Sequence, residues 1–166
     1  MAIEHDYFGL VGDYWSERKE YGDQDVEVVL DSDGDGVSLA ALDVAATMVG
    51  ELELIDDELR NDFVGLLDSA SSPVVLFLNV LLDPELEQAD EIDEAIGRES
   101  GDRQIDALRS LSLVRVDLRP DADEPGDAFA EFEYALAPRR HRRAAHRGDR
   151  PRAGARRRAL RGLIEG

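Results

Sequence analysis

Three aspartates spaced two residues apart open the segment "DSDGDGVSLAALD" (Asp31–Asp43), the stretch of this chain that comes nearest to a metal-binding motif. Asp31, Asp33 and Asp35 stand at loop positions 1, 3 and 5, and Gly36 stands at position 6. Calcium takes hard oxygen ligands at those positions and needs a sharp turn at the sixth. The pattern fails twice. Position 12, which should supply a bidentate glutamate, is Leu42, and position 8, ordinarily apolar, is Ser38. The segment before the loop also reads as a strand, where an EF-hand requires a helix. Asp43, one residue late, allows a looser calcium site made of Asp31, Asp33, Asp35 and Asp43. The favoured reading is an acidic turn between a strand and a helix in a chain that is acidic almost throughout.

No other arrangement suggests a reaction. Glu87 with Asp90, and Glu91 with Glu94, are acid pairs at helical spacing. General acid–base work needs two carboxylates in different environments, one of them desolvated, and these read as a solvated face beside inward Ile92 and Ile96. His5 stands between Glu4 and Asp6, and the other histidines, His141 and His146, lie in a basic C-terminal stretch, so no metal-ligand spacing repeats. Ser69, Ser71 and Ser72 have no histidine nearby in sequence to activate them. Neither a phosphate-cradling glycine loop nor a dinucleotide fingerprint is present. No catalytic residue and no cofactor are expected, calcium at the aspartate loop excepted. The aromatics Tyr7, Phe8, Tyr14, Trp15 and Tyr21 crowd the N-terminal part. Most should be core or cross-strand pairs. Any that are exposed, with Tyr14, Trp15 and Tyr21 as the candidates, would form a partner-binding surface, since aromatics dominate binding hot spots.

The elements that must carry these residues follow from periodicity and punctuation. "DYWSERKEY", a turn at "GDQ" and "DVEVVL" predict an N-terminal β-hairpin. Ser38 is a suitable N-cap for a helix with Leu39, Leu42, Ala46 and Val49 at apolar spacing. A second helix should place Leu59, Phe63, Leu66 and Leu67 on one face. Ser72 followed by Pro73 is an N-cap and first-turn pair, so "PVVLFLNVLL" reads as a buried helix, too short to span a bilayer. "DPELEQADEIDEAI" and "DRQIDALRSL" continue the helical middle. "LVRVDLRP", with Val114, Val116 and Leu118 on one face, and "AFAEFEYAL", with Ala130, Phe132, Tyr134 and Leu136 on one face, predict a C-terminal hairpin across the turn "DADEPGD". The expected class is α+β, one mixed or antiparallel sheet with helices on one face.

Charge divides the 166 residues in two. Residues 1–137 hold 36 acids and 8 bases, a net charge of −28, with Lys19 as the one lysine. Residues 138–166 hold 2 acids and 11 arginines, a net charge of +9. The first part is expected to be an acidic α+β domain, the second a disordered arginine-rich tail. Self-repulsion of the body opposes compactness in dilute buffer, and about 1 M salt, with a Debye length of about 3 Å, relieves it. Abundant Asp and Glu with almost no Lys is the pattern of cytoplasmic proteins adapted to concentrated salt. Cysteine is absent, which excludes disulfides and thiolate metal sites. "MAIEHDYFGL" lacks the basic segment and apolar run of a signal peptide, so a cytoplasmic location is expected.

The tail admits two readings. As a basic arm it would neutralise phosphates of nucleic acid, although it has no aromatic residue to stack bases. Alternatively it is translated out of frame. Shifted by one base, CGN arginine codons become GNN codons for Asp, Glu, Val, Ala or Gly, and "PRRHRRAAHRGDR" can then spell an acidic, alternating ending.

The opening acidic "YFG" segment, the hairpin ending in "VEVVLDSDGDGVSLAALD", the two helices after it and the late "FEYAL" strand are similar to a bacterial family. Over roughly residues 3–137 the chain resembles the domain of unknown function family number two thousand and four. The resemblance implies an N-terminal hairpin, a helical middle and C-terminal strands, and it implies no activity. The chain departs from the family in lacking the last strands. Together these readings point to a non-enzymatic domain that contacts another protein, with calcium binding at the loop and nucleic-acid binding by the tail as alternatives, and with no membrane partner.

Overall fold

The computed structural model describes residues 3–12, 14–32, 37–120 and 129–136, together with the backbone of 159–164. A short hairpin, β1 (Ile3–His5) and β2 (Gly9–Val11), precedes the main sheet. Next come β3 (Tyr14–Tyr21) and β4 (Gln24–Asp31), joined by a two-residue turn in which Gly22 takes a φ of 56°. Glycine suits that left-handed position because it has no Cβ to clash. Five helices follow: α1 (Leu39–Gly50), α2 (Leu52–Gly65), α3 (Pro73–Leu81), α4 (Ala89–Ala95) and α5 (Arg103–Ser110). The chain then returns through β5 (Leu111–Leu118) and β6 (Ala130–Leu136), and the backbone of β7 (Ala159–Ile164) runs beside β6.

The sheet order is β3-β4-β5-β6-β7. Among the described residues only β4 and β5 run parallel, because the whole helical middle lies between them and must carry the chain back to the starting edge. The α+β expectation therefore holds, with hairpins at both ends, helices between and one mixed sheet. The turn "DADEPGD", residues 33–36 within Asp31–Asp43, and all of 138–166 except the β7 backbone lie outside the described residues. Among the described residues no single helix is long and apolar enough to cross a membrane.

Local chemistry sets the helix starts. Ser38 caps α1 by accepting from the Ala41 N–H, and Asp102 caps α5 by accepting from Gln104 and Ile105. Ser72 caps α3 with Pro73 in the first turn, and its buried hydroxyl also donates to the Leu66 carbonyl. One core joins Val26, Val28 and Leu30 of β4, Val116 and Leu118 of β5 and Phe132 of β6 to the inner faces of the helices.

Three placements differ from the periodicity. Leu39 and Leu66 are exposed, and Ala45 and Leu52 occupy the inward positions instead. The third is in β5, where Leu111 and Leu113 are buried, Val114 is not, and Val116 and Leu118 are buried again. The register against β6 shifts between Leu113 and Arg115, so a bulge inserts one residue and reverses the alternation. Val114 therefore does not share the face of Val116 and Leu118. On this geometry Val116→Ala should cost about 2 kcal/mol and Val114→Ala less than about 1 kcal/mol in denaturant unfolding, because only the first opens a cavity in the core. Equal costs would contradict the bulge.

Candidate functional site

The polar groups gathered deepest in the domain meet at Asp56. Within "LELIDDELRNDFVG", Leu52, Asp56, Leu59 and Phe63 recur at four-, three- and four-residue steps, which is one face of α2. Asp56 thus occupies an apolar-face position, and packing α2 on the sheet carries its carboxylate to 2% exposure. An ionised carboxylate there needs partners for all its lone pairs. Tyr134 of β6 donates to Oδ1 at 2.6 Å, and Arg60, one turn along α2, donates to the same oxygen at 3.0 Å. Tyr21 at the end of β3 and Gln24 at the start of β4 each donate to Oδ2 at 3.0 Å.

The network then reaches the backbone of β5. Arg60 donates to the Leu111 carbonyl at 2.8 Å and to the Gln24 side-chain oxygen at 2.8 Å. That same oxygen accepts the Leu113 N–H at 2.7 Å. The Arg60 guanidinium lies 5.2 Å from the Tyr134 ring centre, and Phe63 meets that ring edge-on. Burial, followed by the hydrogen bond to Asp56, pushes the Tyr134 phenol well above its ordinary range, with Arg60 opposing. Burial and the Asp56 charge do the same to Tyr21. Among the described residues no buried side-chain nitrogen or oxygen is left without a partner. A carboxylate saturated by four donors has no free lone pair with which to take a proton from a substrate. What this arrangement does is hold α2 to β3, β4, β5 and β6.

A second polar contact fixes the N-terminal hairpin. The buried His5 accepts the Tyr7 N–H at its Nδ1, 3.1 Å away, so Nε2 carries the hydrogen and donates to Asp43 Oδ1 at 3.1 Å. Phe8, next in the turn, packs edge-on against Trp15 with ring centres 4.7 Å apart. An open groove of about 280 Å³ lies between the end of α3 and α4, with Leu81, Leu82 and Ile92 in its lining. One of its lining carboxylates, Asp93, is held by both Arg98 and Arg103.

The residues singled out in the sequence separate as follows. Asp31 ends β4, exposed, and Asp43 sits on α1 bonded to His5, while Asp33 and Asp35 lie outside the described residues. Among the described residues no three His, Asp or Glu side chains are grouped to hold a metal. Trp15 and Tyr21 pack half-buried against the core, and Tyr14 is 58% exposed. Tyr7 and Leu10 of the N-terminal hairpin are exposed with it. Asp56, Arg60, Gln24 and Tyr134 were not singled out from the sequence. The available signal was an aspartate on the apolar stripe of α2 with arginine four residues later.

Comparison with protein-family models, characterised proteins and solved structures finds no match to this chain.

Asp56→Ala leaves the partly exposed Arg60 and two phenols without their acceptor, and should cost about 3 kcal/mol in denaturant unfolding. A loss below about 1 kcal/mol would mean that the network is incidental. The tyrosines add a pH dependence. Folding holds both phenols neutral, so their contribution is complete below about pH 10, where unfolded tyrosine titrates, and disappears as the pH climbs toward the folded-state values. Stability should be level in this respect up to about pH 10 and fall beyond it, less steeply in Tyr134→Phe. An unchanged alkaline slope in that variant would contradict the assignment.

Proposed function

We propose that this chain is a small acidic cytoplasmic domain that acts by contact with another protein and not by catalysis. The observation that carries this reading is the exposure of Tyr14 and Leu10, 58% and 73%, with Tyr7 beside them in the chain order of one hairpin region. Trp15 and Phe8 pack beneath that region, and His5 ties it to α1, so the exposed side chains stand on a fixed support. Aromatic side chains held this way lose little conformational freedom on binding and are frequent hot spots.

The excess of carboxylates over lysine suits a concentrated-salt interior, where screening removes most of the self-repulsion. The resemblance to the family of unknown function rests on the sequence alone, since no family model matches the chain, and it suggests no activity. Calcium at Asp31–Asp43 is a weaker alternative, because Asp43 is engaged by His5. Nucleic-acid binding would depend on the arginine-rich segment, which carries no aromatic residue to stack bases.

The test is quantitative affinity capture with the purified chain at high salt, comparing wild type with Tyr14→Ser. A partner bound through this region should be lost by at least about tenfold in the variant, with the melting temperature unchanged. Identical capture by both chains would remove Tyr14 from the contact.

A further inference from the structure

We propose that the outer edge of β3 pairs antiparallel with β3 of a second copy of this chain, so that two sheets join into one. β3 lies at one end of the sheet, and among the described residues no strand pairs with its outer side. It runs straight: its register with β4 is unbroken for eight residues, from Tyr14↔Asp31 to Tyr21↔Gln24. Tyr21 and Gln24 close the two-residue turn, so the odd-numbered residues of β3 direct their N–H and C=O groups toward β4. Those of Tyr14, Ser16, Arg18 and Glu20 point outward, an unpaired row that templates another strand.

Charges on such an edge ordinarily prevent pairing, and "ERKE" (Glu17–Glu20) prevents most registers here. One register is self-complementary in both its charges and its aromatics. With the two-fold axis through Arg18, Glu17 opposes Lys19 of the second copy, and the symmetry makes that pair twice. Trp15 opposes Tyr21 of the second copy, also twice, and Ser16 opposes Glu20. Within β3 the like-charge pair in this register is Arg18 with its own symmetry mate, and each Arg18 is already neutralised by Asp25 of its own chain at 2.6 Å. Moving the axis to Glu17 sets Glu17 against Glu17; moving it to Lys19 pairs Arg18 with Glu20 twice but sets Lys19 against Lys19 and takes Trp15 off Tyr21. Antiparallel pairing of two identical edges puts the two-fold axis normal to the sheet, which makes the contact isologous and keeps both helical layers on the same side.

The net charge of −19 per chain opposes association at long range, whereas the pairing contacts are short. Salt therefore favours the dimer until the repulsion is screened. This self-pairing goes beyond the contact with another protein and does not depend on it.

Sedimentation of the full chain in about 2 M KCl decides the matter, since the repulsion is screened there. Wild type should pass from monomer to dimer with increasing concentration. Lys19→Glu and Glu17→Lys should each weaken self-association by at least about tenfold, because each sets like charges opposite one another. An equimolar mixture of the two variants should recover a dimer, since their edges are then complementary. A wild-type chain that stays monomeric at several hundred micromolar overturns the proposal, whatever partner Tyr14 binds. So do single variants that dimerise as wild type does, or folded variants whose mixture remains monomeric.

Discussion

Taking a carboxylate out of water is tolerable only when donors replace the solvent at every lone pair, and Asp56 meets that condition through residues from four different elements. The requirement works in both directions. The charge is held because Tyr21, Gln24, Arg60 and Tyr134 converge on it, and those residues are fixed in turn because the charge must be satisfied. Since α2 brings the carboxylate and the donors come mainly from the sheet, helix and sheet have one docking position at which all the bonds form together. Gln24 widens the effect. Its oxygen receives both Arg60 and the Leu113 N–H, so the start of β5 is placed by the same network that places α2.

Around this point the remaining energetics are those of an ordinary core on a heavily charged body. Apolar burial between the helices and the inner faces of β4, β5 and β6 supplies the driving force. Surface pairs such as Arg18 with Asp25 and Arg115 with Asp117 add little individually. They relieve local repulsion in a domain whose acids far outnumber its bases. At the N terminus an imidazole bonded on both ring nitrogens does for β1 and β2 on a small scale what Asp56 does for the main sheet.

Much of the fold was legible because local signals agreed with the global arrangement. Ser38 and Ser72 cap where the sequence placed them, the tight turn at Gly22 closes the first hairpin, and Ala130, Phe132 and Tyr134 alternate inward. The face of Val114 was not legible, because one inserted residue reverses a period of two and leaves no compositional mark. Nor was the Asp56 network. Tyr134 is 78 positions from Asp56 and Leu113 is 89 from Gln24, and an aspartate in so acidic a sequence attracts no notice unless its place on the apolar stripe is weighed. The aromatics were legible as a group but not individually. Only their packing separates the supporting Trp15 and Tyr21 from the exposed Tyr14.

The central claim is that Asp56 joins α2 to the sheet through bonds that act as one unit. The measurement that tests it most directly is a double-mutant cycle between Asp56→Ala and Tyr134→Phe, read by denaturant unfolding at neutral pH in high salt. Groups that share one buried network should show a coupling energy of about 1–3 kcal/mol, the double variant being less destabilised than the sum of the singles. Additivity within about 0.5 kcal/mol would contradict the account, because the two side chains would then stabilise the domain independently.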